Sequence, residues 1–237
     1  MSLNFNTFSI VARCNKSGAL GVAVASAVPS VGSMCMFTRS NIGAISTQSW
    51  VNPYLAIDVL EFLAEGASAS QALAKALGRD PEAALRQIGV IDAKGRTAAH
   101  SGDGCTAWSG HLLGPNFSVQ GNMLLNESVL AVMAAAFQAH EDFSEALLAS
   151  LKLGQVAGGD KRGKQSAALR IHGCEQYPML DLRVDEHVEP IDELERILKI
   201  AKFQYLPFVE AMPARFGQGK QLASETRELL LRSPQDR

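Results

Sequence analysis

The chain has 237 residues, with 22 Lys and Arg against 24 Asp and Glu, for a formal charge of −2. That balance argues against a broad electrostatic grip on nucleic acid or on an anionic membrane surface. A hydrophobic fraction of 47% with 19% charged residues fits a globular core and excludes a disordered or collagen-like chain, and no apolar run is long enough for a membrane helix.

In chain order, Thr7-Phe-Ser-Ile-Val-Ala-Arg-Cys14 alternates and is rich in β-formers, Asn15 to Gly18 reads as a turn, and Gly21-Val-Ala-Val-Ala-Ser26 reads as the returning strand of a hairpin. Pro29, Ser30, Gly32 and Ser33 then break the pattern, and Ile42–Gln48 is the next strand. Asn52-Pro53 opens a helix, with Asn as the cap and Pro at the first helical position; Leu55, Val59, Leu60 and Leu63 follow at helical spacing up to Gly66. A second helix begins at Ser68 or Ser70 and stops at Gly78, with a short helical turn over 80–86. Residues 87–101 read as a hairpin and 117–122 as a strand, followed by helices over about 126–139 and 142–153. Residues 166–172 and 180–185 are late strands, and Pro190 starts a helix to about Lys202.

Strands come in blocks and not in strict alternation with helices. That order predicts an α+β fold of antiparallel sheets covered by helices. The expected organisation is an N-terminal extension of residues 1–6, of which Met1-Ser2-Leu3 reads as a cloning remnant, a domain over 7–202, and a tail over 203–237 holding a Pro- and Gly-containing linker and an amphipathic helix near 220–232. Cys14, Cys35, Cys105 and Cys174 are dispersed and form no C-x-x-C pair, and no basic-then-apolar segment opens the chain; both point to a cytoplasmic protein with reduced thiols.

Chemistry concentrates in a few places. Gly158-Gly-Asp-Lys-Arg-Gly-Lys-Gln165 nearly matches a phosphate-binding loop, but Gln165 stands where magnesium needs Ser or Thr, and the loop follows a helix and opens a strand. Asp160 and Arg162 make it a candidate site all the same. Ser118-Val-Gln120-Gly121-Asn122 ends a strand just before a helix; Gln120 and Asn122 are candidates to orient a substrate there, with Gly121 as a close-packing residue in the alternative. Asp185 and His187 share a strand face but are two ligands where a metal needs three or four, so no metal or cofactor is expected.

Taken together, Thr7-Phe-Ser-Ile-Val-Ala-Arg, Gly21-Val-Ala-Val-Ala-Ser, Val119-Gln-Gly-Asn, Gly158-Gly-Asp-Lys-Arg-Gly-Lys-Gln-Ser-Ala-Ala-Leu and Asp181-Leu-Arg-Val-Asp resemble the domain of unknown function 1028 family, grouped with the N-terminal-nucleophile (Ntn) hydrolases. The resemblance covers about residues 7–200. It implies a four-layer αββα sandwich and a Thr, Ser or Cys at the start of the first strand that attacks an amide carbonyl, its own α-amine serving as base. Thr7 is the matching residue, Gly121 and Asn122 would supply the oxyanion end, and Ser26, Gln120, Asp160, Arg162, Gln165 and Ser166 would line the substrate side. Residues 1–6 precede Thr7, so its nitrogen is an amide in this chain, and Ser26-Ala27 and Ile42-Gly43 lack the Asp and Lys of the proteasome branch. Two functions follow as expectations: a hydrolase of a small or cyclic amide after trimming to Thr7, or an inactive scaffold that binds a small polar ligand. A third placement of the site uses Ser26, Cys35 or Asp160. The expected partners are a small-molecule ligand and a second copy of the chain in a homodimer, with neither nucleic acid nor membrane.

Overall fold

In the computed structural model, which describes residues 7–215 and 220–236, β1 (Thr7–Arg13) and β2 (Leu20–Ser26) form the predicted hairpin, paired from Thr7↔Ser26 to Arg13↔Leu20. The proposed extension of residues 1–6 lies outside the described residues. A one-turn helix α1 (Val31–Cys35) and a four-residue strand β3 (Met36–Arg39) follow, then β4 (Gly43–Ser49).

Helix α2 (Pro53–Ala64) starts as its sequence dictates: the Asn52 side chain accepts from the Tyr54 N–H and Pro53 occupies the first turn. Helix α3 (Ala69–Leu77) opens on a reciprocal capping box between Ser68 and Gln71. A 3₁₀ turn at Ala83–Leu85 leads into β5 (Arg86–Asp92) and β6 (Thr97–Ser101). Strands β7 (Gly110–Gly114) and β8 (Phe117–Gly121) are followed by α4 (Ser128–Gln138) and α5 (Phe143–Val156), then β9 (Ser166–His172), β10 (Leu180–Val184) and α6 (Pro190–Ile200).

The strands form a six-stranded sheet, ordered β10-β9-β2-β1-β8-β7, and a four-stranded sheet, ordered β3-β4-β5-β6; every pairing is antiparallel. Alternation along each strand divides its side chains between two layers. On β5, Ile88 and Val90 face outward onto Leu55, Val59 and Phe62 of α2 and Leu73 of α3. Ile91 faces inward and joins Val11, Val22, Val24, Met36 and Ala44 between the sheets. Helices α4 and α5 pack on the outer side of the larger sheet, against β1, β2 and β8. The result has the antiparallel sheets covered by helices that the block order of the elements predicts, in the four-layer αββα arrangement that the family resemblance implies.

The chain divides into two compact units, residues up to Leu194 and Glu195–Arg237. The second holds the end of α6, a π-helical turn at Ala201–Tyr205, α7 (Leu206–Glu210) and α8 (Ser224–Leu231). The stretch read as a linker from Phe203 is therefore helical as far as Glu210. Pro207 falls in the first turn of α7, directly after the π-helical turn that the Leu206 N–H closes on the Ala201 carbonyl. Residues 216–219 of that linker lie outside the described residues.

Candidate functional site

At the end of the sandwich where β1 begins, the space between the sheets changes from apolar to polar. Gln48 of β4, Gln87 of β5, and Gln120 and Asn122 at the end of β8 are all fully buried. Burying an amide is costly unless each of its polar atoms finds a partner. Here the partners are mostly one another. Ser118 Oγ donates to Gln120 Oε1 at 2.8 Å, and Gln120 Nε2 donates to Ser9 Oγ at 2.7 Å. Ser9 Oγ donates to Gln48 Oε1 at 2.6 Å, and Gln48 Nε2 donates to Gln87 Oε1 at 2.7 Å. Each donor points to the next acceptor, so the chain of bonds crosses from one sheet to the other in one direction and its members polarise one another. Gln87 Nε2 carries it on to Ser101 Oγ at 2.8 Å, which lies 3.0 Å from His111 Nδ1. Burial, with the nearby charge of His100, holds the His111 pKa below the ordinary imidazole value.

Thr7 sits at the head of this layer. It is fully buried, and its hydroxyl donates to Ser26 Oγ, its hairpin partner, at 3.2 Å. Its carbonyl accepts from Gln48 Nε2 at 3.0 Å, from the Asn122 backbone N–H at 3.1 Å and from Asn122 Nδ2 at 3.4 Å. The two donors expected of Asn122 toward an oxyanion are thus bonded to the Thr7 carbonyl. Gly121 gives its carbonyl to Gln87 Nε2 at 2.8 Å, and a Cβ on it would meet the Leu124 side chain at 2.6 Å, so it is also a close-packing residue.

The near-match to a phosphate loop folds back onto this end of β2. It follows α5 and runs into β9, so it does not open a helix as a phosphate-binding loop does. The Asp160 carboxylate takes the place an external anion would hold in such a loop: it accepts from the Ala27 N–H at 3.2 Å, from the Arg162 N–H at 2.8 Å and from the Arg162 guanidinium at 3.1 Å. The Gln165 N–H donates to the Ser26 carbonyl at 2.8 Å. Ser166 Oγ donates to the Val28 carbonyl at 2.5 Å and accepts from the Val31 N–H at 3.1 Å. Thr7, Ser26, Asn122, Asp160, Arg162 and Gln165 are therefore brought to one end of the sandwich. Gln120 belongs to the buried amide chain, and Ser166 to the turn after β2.

The remaining candidates separate. Cys35 is sealed in the apolar part between the sheets, and burial pushes its thiol up to about 12, which removes it as a nucleophile. Asp185 pairs with Arg183 at 2.7 Å, and His187 Nδ1 accepts the Glu189 N–H at 3.0 Å. Among the described residues no group of three His, Cys, Asp or Glu is placed to hold a metal, and no helix is long and apolar enough to cross a membrane. Sequence reasoning passed over Gln48, Gln87, Ser9 and His111. Their signal was faint: Gln87, Gly89 and Ile91 share a strand face, and so do Ala44, Ser46 and Gln48.

A cleft of about 350 Å³ lies at the opposite end of β1, lined by Arg13, Cys14, Lys16, His140, Phe137 and Phe143 among others. Partial burial raises the Cys14 pKa, but hydrogen bonds from the Ser17 side chain and from the Ser17 and Lys16 backbones, with the Lys16 charge, outweigh it and leave the thiol below its ordinary value.

Two facing antiparallel sheets, a helical layer on each outer side and a buried polar cluster at one end define an αββα-sandwich protein. Within that class the chain belongs to the family of unknown function DUF1028, whose family model matches residues 7–194. A crystal structure of a DUF1028 protein from Silicibacter pomeroyi is similar, with 29% identity and a TM-score of 0.80 over 86% of this chain and 93% of that one. Anbu (ancestral beta-subunit) from Yersinia bercovieri is aligned over 87% of this chain and 98% of its own, with 12% identity and a TM-score of 0.38. No curated protein matches the chain.

Proposed function

We propose that the protein is an Ntn-type hydrolase that opens a small or cyclic amide C–N bond, with Thr7 as its nucleophile once the residues before it have been removed. One observation carries the reading: Thr7 begins β1 with its hydroxyl on Ser26, at the end where Asn122, Asp160, Arg162 and Gln165 also gather. Cleavage before Thr7 converts an amide nitrogen into an amine with a reference pKa of about 7.7–8.0, suited to a base near neutral pH. That amine takes the hydroxyl proton as Oγ1 bonds to the substrate carbonyl carbon. The C–N bond then breaks and the leaving nitrogen receives the proton. Water hydrolyses the resulting ester and restores Thr7. Asn122 belongs to the site through its side-chain oxygen, since Thr7 already uses both its backbone N–H and its Nδ2. Arg162, with about a third of its side chain exposed, contacts an anionic part of the substrate. Ser26, Gln165 and Asp160 shape the wall. The reading extends to a cytoplasmic homodimer acting on a small molecule without a cofactor.

A second reading is a non-catalytic scaffold for a small polar ligand. It is favoured by the amide state of the Thr7 nitrogen and by a hydroxyl that meets Ser26 and not an amine. Intact mass after exposure to a β-lactone decides between them. An adduct on Thr7 in a chain that begins at Thr7, absent from the full-length chain, is the expected result for the hydrolase. No adduct in either chain overturns it in favour of the scaffold.

A further inference from the structure

In the buried amide cluster one polar atom is left over: Asn122 Oδ1 has no hydrogen-bond partner among the described residues, although Asn122 is fully buried. The orientation of the amides follows from groups that can only accept. Gln87 Nε2 lies 2.8 Å from the Gly121 carbonyl and 3.1 Å from the Gly110 carbonyl, so the nitrogen of Gln87 faces that way and Oε1 faces the other. Gln87 Oε1 then receives Gln48 Nε2 at 2.7 Å and Asn122 Nδ2 at 3.0 Å. Asn122 Nδ2 also faces the Thr7 carbonyl, a second group that can only accept, at 3.4 Å. Turning the Asn122 amide over would set its oxygen against two acceptors. Its Oδ1 is therefore fixed away from both, as an acceptor without a donor, in a cluster whose other amides are bonded at both ends. A buried carbonyl of that kind calls for an explanation, because it lost water and gained nothing.

We propose that Asn122 Oδ1 accepts an N–H of the bound ligand, so that the site selects a neutral amide, primary or cyclic, over an ester or a carboxylate. The inference rests on the reading of this end of the sandwich as a ligand site, and it names the chemistry that site prefers. An ester offers no donor to the oxygen. A carboxylate sets a second acceptor against it. An ammonium ion would need a carboxylate to offset its desolvation, and Asp160 is already taken by Arg162 and the Ala27 N–H.

The test is a titration of the ¹⁵N-labelled full-length chain with 2-pyrrolidinone and propionamide, set against γ-butyrolactone and propionate. The Asn122 side-chain NH₂ signal, assigned by its loss in Asn122→Asp, is the reporter. The expected result is that both amides displace that signal and bind about tenfold or more tightly than the lactone and the acid. Equal binding of lactone and lactam overturns the proposal, and so does an Asn122 signal unmoved by either amide up to its solubility limit. Asn122→Leu, checked by its thermal melt, is expected to erase the preference; if it does not fold, the titration of the unaltered chain decides alone. Binding is read without turnover. An amide held by Asn122 but never cut by the chain that begins at Thr7 would sink the hydrolase and leave this inference standing, whereas amides cleaved by that chain with no binding preference over the lactone would do the reverse.

Discussion

Gly89 of β5 lies directly beneath the side-chain amide of Gln120 on β8, and a Cβ at position 89 would collide with that amide. The two residues sit on opposite sheets, so the contact fixes how closely the sheets approach at the polar end. Gly89→Ala is expected to push Gln120 off Ser9 and Ser118 and to destabilise the fold by about 1–3 kcal/mol, the usual cost of overfilling a packed interior. Urea unfolding of the variant measures this. Adding Gln120→Ala should recover part of the loss, because the two side chains compete for one volume. A Gly89→Ala protein as stable as the parent would mean that the sheets part freely here.

Gln87 joins more partners than any other amide in the cluster: Gln48 and Asn122 on its oxygen, and Ser101 with the Gly110 and Gly121 carbonyls on its nitrogen. Gln87→Leu keeps much of the volume and strips all of these at once. Leaving buried donors and acceptors unmet costs about 1–3 kcal/mol for each group that finds no substitute. A loss of about 3 kcal/mol in unfolding free energy is expected, with the sharpest changes in amide exchange at Asn122 and Ser101. A loss below about 1 kcal/mol would show that water replaces Gln87 and that the cluster is not a closed network.

The hairpin of residues 7–26 could be read from sequence because its alternation and its turn are local. Its register then places Thr7 opposite Ser26 without any knowledge of the rest. Strand β7 could not be read, since Gly110-His-Leu-Leu-Gly114 is short and does not alternate. Helix α1 and β3 were hidden by a break that looked like loop: Ser30 takes a left-handed conformation with φ 56° before a single helical turn. The site divides in the same way. The Gly158–Gln165 loop announced itself by composition. Gln48 and Gln87 did not, because an amide in a strand reads as an ordinary polar residue until two sheets face each other across it.

The four thiols differ in reactivity by environment, and alkylation separates them. Cys14 lines the cleft with its pKa lowered by the hydrogen bonds of its turn, and Cys174 is exposed. Cys105 is buried and its pKa raised, chiefly by that burial, and Cys35 stands at about 12. The thiolate is the reacting form, so the rate climbs as pH rises through each pKa. Iodoacetamide on the native protein should modify Cys14 and Cys174 and spare Cys35 and Cys105 until unfolding. The Cys14 rate should approach its plateau at a lower pH than that of a free cysteine peptide. Peptide mapping that finds Cys35 labelled in the native protein would show that the space between the sheets opens.

Asp80 and Arg86 tie the start of β5 to the start of α2. Arg86 Nε donates to Asp80 Oδ2 at 2.8 Å, Asn52 Nδ2 donates to the same oxygen at 2.8 Å, and the Glu82 N–H donates to Oδ1 at 3.0 Å. Burial alone would raise the Asp80 pKa, but the bonds from Arg86 and Asn52 outweigh it and bring it down to about 2 from 3.8. A carboxylate with a depressed folded-state pKa contributes stability that is present above the unfolded value and lost as pH falls toward the folded one. The contribution is about 2 kcal/mol near neutral pH, since each tenfold change in proton affinity between the folded and unfolded chains is worth about 1.4 kcal/mol. Asp80→Asn should therefore be less stable than the parent by at least that amount near neutral pH, because it also leaves the buried Arg86 with Glu82 as its remaining carboxylate. The gap should narrow by about 2 kcal/mol between pH 3.8 and pH 2, as protonation deprives the parent of the same charge. Paired urea titrations of the two proteins across that window isolate Asp80 from the other carboxylates, which titrate in both. A gap that stays constant down to pH 2 would mean that Asp80 acts as a hydrogen-bond acceptor alone and that its charge contributes nothing to the fold.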